Sequence, residues 1–70
     1  MIEYKIENTP LRKRIFGYKH KQLTVVISDI YGEQETERSY HDTYNDAEDY
    51  FYDVYEYEMP FHEVRKMVAL

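Results

Sequence analysis

The sequence contains no cysteine, only two glycines and two prolines, and no long apolar run. Without cysteine there is neither a disulfide nor a thiolate for catalysis or metal binding, a usage that suits a reducing compartment. Gly17 and Gly32 stand far apart, so no glycine-rich loop is available to cradle a phosphate. The opening residues MIEYKIEN carry acids and no apolar stretch, which is the pattern of neither a secretory signal nor a membrane span. A cytoplasmic protein with no membrane partner is expected. Catalytic and metal motifs are missing as well. His62-Glu63 opens like a zinc-protease helix, but Lys66 stands where the second histidine belongs. Asp42, Asn45, Asp46 and Glu48 lack the glycine and the terminal glutamate of a calcium loop. Ser39, His41 and Asp42 are neighbours in sequence, which does not make a triad. The expectation is a protein that is not an enzyme and needs no cofactor or metal.

One further absence is local. Between Asp42 and Glu63 there is not one lysine or arginine. Through Gln22 the chain carries six Lys and Arg against two acids; from Leu23 onward it carries three against twelve, and the net charge is −5. Such asymmetry either closes on itself or presents two opposite surfaces to charged partners. Seventy residues make one domain, of a size that buries only about 60% of the surface of its unfolded chain. Nine Tyr and three Phe supply apolar area that a disordered acidic tail would lack.

Alternation of Ile2, Tyr4 and Ile6 with Glu3, Lys5 and Glu7 predicts a half-buried strand over 1–7, closed by Asn8-Thr9-Pro10. A second strand is expected over 11–18. The β-branched run LTVVISDI, 23–30, reads as the central strand of a sheet, and Tyr31-Gly32-Glu33 supplies the hairpin turn. The polar stretch 34–40 reads as an edge strand whose charges discourage intermolecular pairing. Asp42 or Thr43 is placed to cap a helix. Pro60 ends that helix and opens a second short one over 60–69, in which Phe61, Val64, Met67 and Val68 cap the core. The predicted fold is α+β: a three- or four-stranded antiparallel sheet over 1–41, followed by one or two C-terminal helices within 43–69 packed on one face.

The stretch DTYNDAEDYFYDVYEYEM carries the functional expectation. At helical spacing Tyr44, Ala47, Phe51, Val54 and Tyr55 share a core-facing stripe, while Asp46, Asp49, Asp53 and Glu56 repeat a three, four, three step on the far side. These carboxylates advance about 5 Å per step along the helix, and duplex phosphates on one strand advance about 3.4 Å. Tyr50, Tyr52 and Tyr57 flank the row, and tyrosine gives contact area and a hydroxyl at low entropic cost. The expected partner is a basic nucleic-acid-binding protein.

In its general make-up, strands followed by an Asp-, Glu- and Tyr-laden helix between Asp46 and Glu58, the chain resembles small acidic phage proteins that disable host defences, anti-CRISPR proteins and other DNA mimics among them. The resemblance implies an inhibitor acting in the host cytoplasm that occupies the DNA-binding channel of a nuclease effector such as a Cas protein. The basic N-terminal half departs from that pattern. It leaves two alternatives: a small nucleic-acid-binding regulator using Arg12, Arg14, Lys19 and Lys21 beside Phe16 and Tyr18, or a homo-oligomer or dimer packed through exposed tyrosines or closed by opposite charges.

Overall fold

A computed structural model describes residues 1–56 and 63–67. Along the chain run β1 (Ile2–Asn8), α1 (Leu11–Ile15), β2 (Lys21–Ser28), β3 (Gln34–His41), α2 (Tyr44–Tyr55) and β4 (Val64–Lys66). The strands form one sheet in the order β3-β2-β1-β4. β1 pairs antiparallel with β2 from Ile2 opposite Ile27 to Asn8 opposite Lys21, and β2 pairs antiparallel with β3 from Lys21 opposite His41 to Ser28 opposite Gln34. β4 pairs with β1 in parallel. The sheet is therefore mixed and not wholly antiparallel as expected. The reason is topological: a strand, a crossing helix and a second strand on the far side of the same sheet run in the same direction, and α2 carries the chain from the β3 edge to the β4 edge.

Register assigns the faces, because directly opposed residues point to the same side. Ile2, Tyr4 and Ile6 lie opposite Ile27, Val25 and Leu23 and look toward α2. The core is Ile2, Tyr4, Leu23, Val25, Ala47, Phe51 and Tyr55, with Ile6, Ile27 and Val64 packed against it. Its centre is an aromatic column. The Tyr4 ring stacks on Phe51 at 4.0 Å between centroids, and Phe51 stacks on Tyr55 at 5.3 Å. Phe51 has no exposed surface, so it is the residue whose burial contributes most to holding α2 down, about 1.5–3 kcal/mol by apolar transfer alone. The Tyr55 hydroxyl at the end of the column donates to the Glu37 carboxylate, so its polar tip is satisfied where the ring enters the core.

α2 follows its sequence signals closely at the N-terminus. Thr43 is in extended conformation and its Oγ1 accepts from the Asp46 amide at 3.1 Å. Val54 is the exception to the expected stripe: it is exposed, whereas Glu48, placed symmetrically on the other flank of Phe51, is half-buried. Lys66 Nζ, on β4, meets the Tyr44 hydroxyl and lies 4.8 Å from the centre of its ring.

Two further expectations are corrected. The segment 11–18 is not a strand: α1 occupies Leu11–Ile15, with Lys13 and Arg14 amides bonded back to the Pro10 carbonyl. It closes through Gly17 at φ +94°, the Gly17 amide bonding the Arg14 carbonyl and the Tyr18 amide the Lys13 carbonyl. That is the paired bonding of a glycine-terminated helix end, which L residues with a Cβ adopt at a cost. In the expected helix 60–69, the described part forms β4 instead: Val64, Arg65 and Lys66 add to the free edge of β1, with the Ile2 amide bonded to Glu63 and the Met67 amide to Tyr4. Phe61 and Val68, expected as capping residues, lie outside the described residues, as does Tyr57.

Candidate functional site: the outer face of α2

Three buried positions, Ala47, Phe51 and Tyr55, fix the rotation of α2 about its axis. With that rotation set, Asp46, Asp49, Asp53 and Glu56 are all exposed, and at 100° per residue they fall within an arc of about 80° opposite Phe51. The carboxylates expected to form a row therefore share one side. Among the described residues none of the four takes part in an ion pair; the pairs present are Lys5 with Glu7, Lys19 with Asp42 at 3.9 Å and Arg65 with Glu63. Asp46 also sits in the first turn of α2, where the helix dipole favours a negative charge.

The flanking tyrosines are half-exposed, Tyr50 at 41% and Tyr52 at 47%. Each rests on a ring below it. Tyr50 leans on His41 at 4.7 Å, and Tyr52 meets Tyr4 and Phe51 edge-on at 6.4 and 5.3 Å. One side of each ring is thus held by the protein and the other is open, the arrangement of a preorganised contact residue. The same neighbours hold the Tyr4 phenol protonated: burial raises its pKa first, and the Tyr52 hydroxyl second.

His41, at the end of β3, was given no role by its sequence context beyond proximity to Ser39 and Asp42. In the fold its Nε2 lies 2.8 Å from Ser39 Oγ, because residues two apart on a strand share a face. Burial and then the Lys19 cation lower its pKa, opposed by Asp46 and Asp42. Among the described residues no carboxylate hydrogen-bonds Nδ1, so the pair lacks the third group that holds a catalytic imidazole in its tautomer. Chain order alone could have suggested the Ser39–His41 contact once 34–40 was read as a strand.

The four basic residues singled out from sequence are brought to one end of the sheet, yet they are not equivalent. Lys21 Nζ donates to Asn8 Oδ1 at 2.6 Å and Lys19 makes the loose pair with Asp42. The Arg12 and Arg14 side chains are exposed, and neither guanidinium makes a hydrogen bond or ion pair among the described residues. Between them Lys13 Nζ donates to the Tyr40 hydroxyl at 2.6 Å, tying α1 to β3. Among the described residues the one ion pair that joins the basic and acidic halves of the sequence is Lys19 with Asp42.

Comparison with known proteins supplies no relative. No protein-family model, no curated protein and no solved structure matches the chain. Function rests on the surfaces themselves. Among the described residues no group of three or more His, Asp or Glu is arranged to hold a metal ion, and no helix is long and apolar enough to cross a membrane.

Proposed function

We propose that the chain is a non-enzymatic, protein-binding inhibitor that offers the outer face of α2 to a basic nucleic-acid-binding protein, in the manner of a DNA mimic. Asp46, Asp49, Asp53 and Glu56 supply the charge, and Tyr50 and Tyr52 supply packed contacts at its flanks. A single observation carries the reading: four exposed carboxylates share one side of a helix whose far side is anchored in the core, with no cation of the described residues paired to them. Like charges three and four apart oppose the helix by a few tenths of a kcal/mol per pair. Their retention on one face is a cost to folding that a charged partner offsets on binding.

The mechanism is electrostatic exclusion. A groove lined with Lys and Arg to hold phosphates attracts the ridge at long range, and the tyrosines then replace water at close range. A nuclease effector of the Cas type is the kind of target such a ridge suits. The interaction weakens as salt rises, because the attraction acts across distances comparable with the Debye length of about 8–10 Å at physiological ionic strength.

The test is retention of bacterial lysate proteins on immobilised chain, wild type against Asp49→Lys/Asp53→Lys, with a salt gradient and a parallel thermal melt. The expected result is a basic nucleic-acid-binding protein held by wild type alone, eluting at moderate salt, with both chains melting alike. Identical retention by both chains removes the reading. A large fall in the melting midpoint of the variant also removes it, since the acids would then serve the fold.

A further inference from the structure

The two ends of the sheet differ in a way the acidic helix does not explain. Beyond the Asn8 end lie residues 9–20, which contain Arg12, Lys13, Arg14 and Lys19 and no acid. From this tip project Leu11, Ile15, Phe16 and Tyr18, exposed at 69%, 74%, 84% and 50%, and α1 buries none of its residues. At the Ile2 end lies the segment 29–35, the β2–β3 turn and the first two residues of β3, which contains Asp29, Glu33 and Glu35 and no Lys or Arg; the Met1 ammonium beside it donates to the Ser28 carbonyl at 2.9 Å. There Ile30 and Tyr31 stand out at 90% and 85% exposure. The turn is ordered rather than loose: Asp29 Oδ1 accepts from the Tyr31 and Glu33 amides at 2.8 and 3.0 Å, and Gly32, at φ +83°, donates its amide to the Asp29 carbonyl. Beside it is a cavity of about 190 Å³ lined by Ile27, Asp29, Glu33, Gln34 and Glu35. That is below the size of most small-molecule sites, has an apolar wall and an acidic rim, and so suits one cationic side chain with a hydrocarbon stem.

We propose that the chain associates head to tail with copies of itself, the basic apolar tip 9–20 of one copy seating on the acidic turn 29–35 of the next. Charge decides the occupant. The tip needs acids beside exposed apolar groups, the turn needs cations beside exposed apolar groups, and each is what the other displays. Arg14 is the residue for the cavity: its planar guanidinium matches carboxylates in a bidentate fork, and its stem lies against Ile27. Phe16 and Ile15 then cover Ile30 and Tyr31. The two surfaces are different and lie at opposite ends of a molecule 38 Å long, so the contact is heterologous and repeats without closing unless the rotation between copies makes a ring. Its extent is bounded by the 22 × 21 Å cross-section. This is below the area of a standard stable interface, and the association is weak, reversible and strengthened by low salt. The proposal uses neither the α2 ridge nor its partner, and stands or falls separately from them.

Sedimentation equilibrium over a concentration series at low and high salt is the measurement. Wild type rises above its 8.7 kDa protomer mass with concentration at low salt and returns toward it at high salt. Arg14→Glu/Phe16→Asp blocks the tip, Ile30→Lys/Glu33→Lys blocks the turn, and each alone stays at protomer mass. Mixed in equal amounts, the two variants form a dimer and nothing larger, because one intact tip and one intact turn remain. Asp49→Lys/Asp53→Lys on α2 associates as wild type does. Should a blocked variant lose its thermal transition, Phe16→Ser and Ile30→Ser carry the same expectations. Wild type at protomer mass throughout overturns the proposal, including the case where it then sediments with phosphatidylglycerol vesicles or shifts duplex DNA, which would give the tip an anionic surface as its occupant. A mixture of blocked variants that stays monomeric overturns it too.

Discussion

The molecule contains two helices that invite direct comparison. α2 spans twelve residues, has a side-chain cap from Thr43 and buries Ala47, Phe51 and Tyr55; α1 spans five, has no side-chain cap and buries nothing. α2 is acidic on its outer face, and α1 carries Arg12, Lys13 and Arg14. The first is held by packing. The second is held by its ends, through the Pro10 carbonyl, the Gly17 closure and the Lys13 to Tyr40 bond. A helix that short is marginal on its own, and its persistence here comes from connections that fix the backbone without burying the side chains. The lesson is that the apolar side chains of α2 build the domain, whereas those of α1 stay exposed outside it.

The comparison breaks most readily at the aromatic column. Phe51→Ala should lower stability by about 3–5 kcal/mol, read as a shift in the urea midpoint, while Phe16→Ala in the α1 segment should stay within about 0.5 kcal/mol, as surface changes do. Comparable losses for the two would show that the tip is part of the core.

Next in size is the cap. Thr43→Ala removes the acceptor for the Asp46 amide and should cost about 1 kcal/mol, whereas Thr43→Ser should retain most of it in the same denaturation series. No loss in Thr43→Ala would mean that packing alone sets where α2 begins.

A smaller effect has the opposite sign. Asp49→Asn relieves repulsion from Asp53 one turn away and should raise stability by about 0.2–0.5 kcal/mol at low salt, with the gain vanishing at high salt. A loss would show that Asp49 has a stabilising partner.

The finest distinction is a slope in pH. Burial lowers the folded-state pKa of His41 below its ordinary value of 6.5, so the unfolded chain takes up the proton first on acidification. The contribution is fully present above about pH 6.5 and is lost as pH falls from there toward the folded pKa. Asp42, Asp46 and Lys19 face the same ring. His41→Asn should flatten stability against pH in that window, and an unchanged slope would assign it to the carboxylates.

Much of this was legible residue by residue. β1 and the acidic side of α2 follow from periodicities of two and of about 3.6 residues; β2 follows from its β-branched run, the edge position of β3 from its polarity, and Thr43 is one of the two caps, Asp42 and Thr43, that residue type offered. Val54 lies outside the buried stripe because periodicity gives a stripe but not how the helix sits upon the sheet, which leaves Val54 exposed and Glu48 half-buried. The segment 11–18 was misread because Ile15, Phe16 and Tyr18 favour strands and were expected to seek burial; Gly17, as a helix terminator, was the available signal. β4 had no signal of its own, since three residues join a sheet only where another strand offers a free edge.

By itself, then, the chain determined its local periods, its division into basic and acidic halves, and which side of α2 carries carboxylates, because each of these depends on spacing along the backbone. Only the tertiary structure decided that the sheet is mixed, that α1 stays uncovered, and that a basic tip and an acidic turn lie at opposite ends. Those outcomes depend on pairings between residues far apart in sequence, whose geometry is set by strand register and by the crossing of α2.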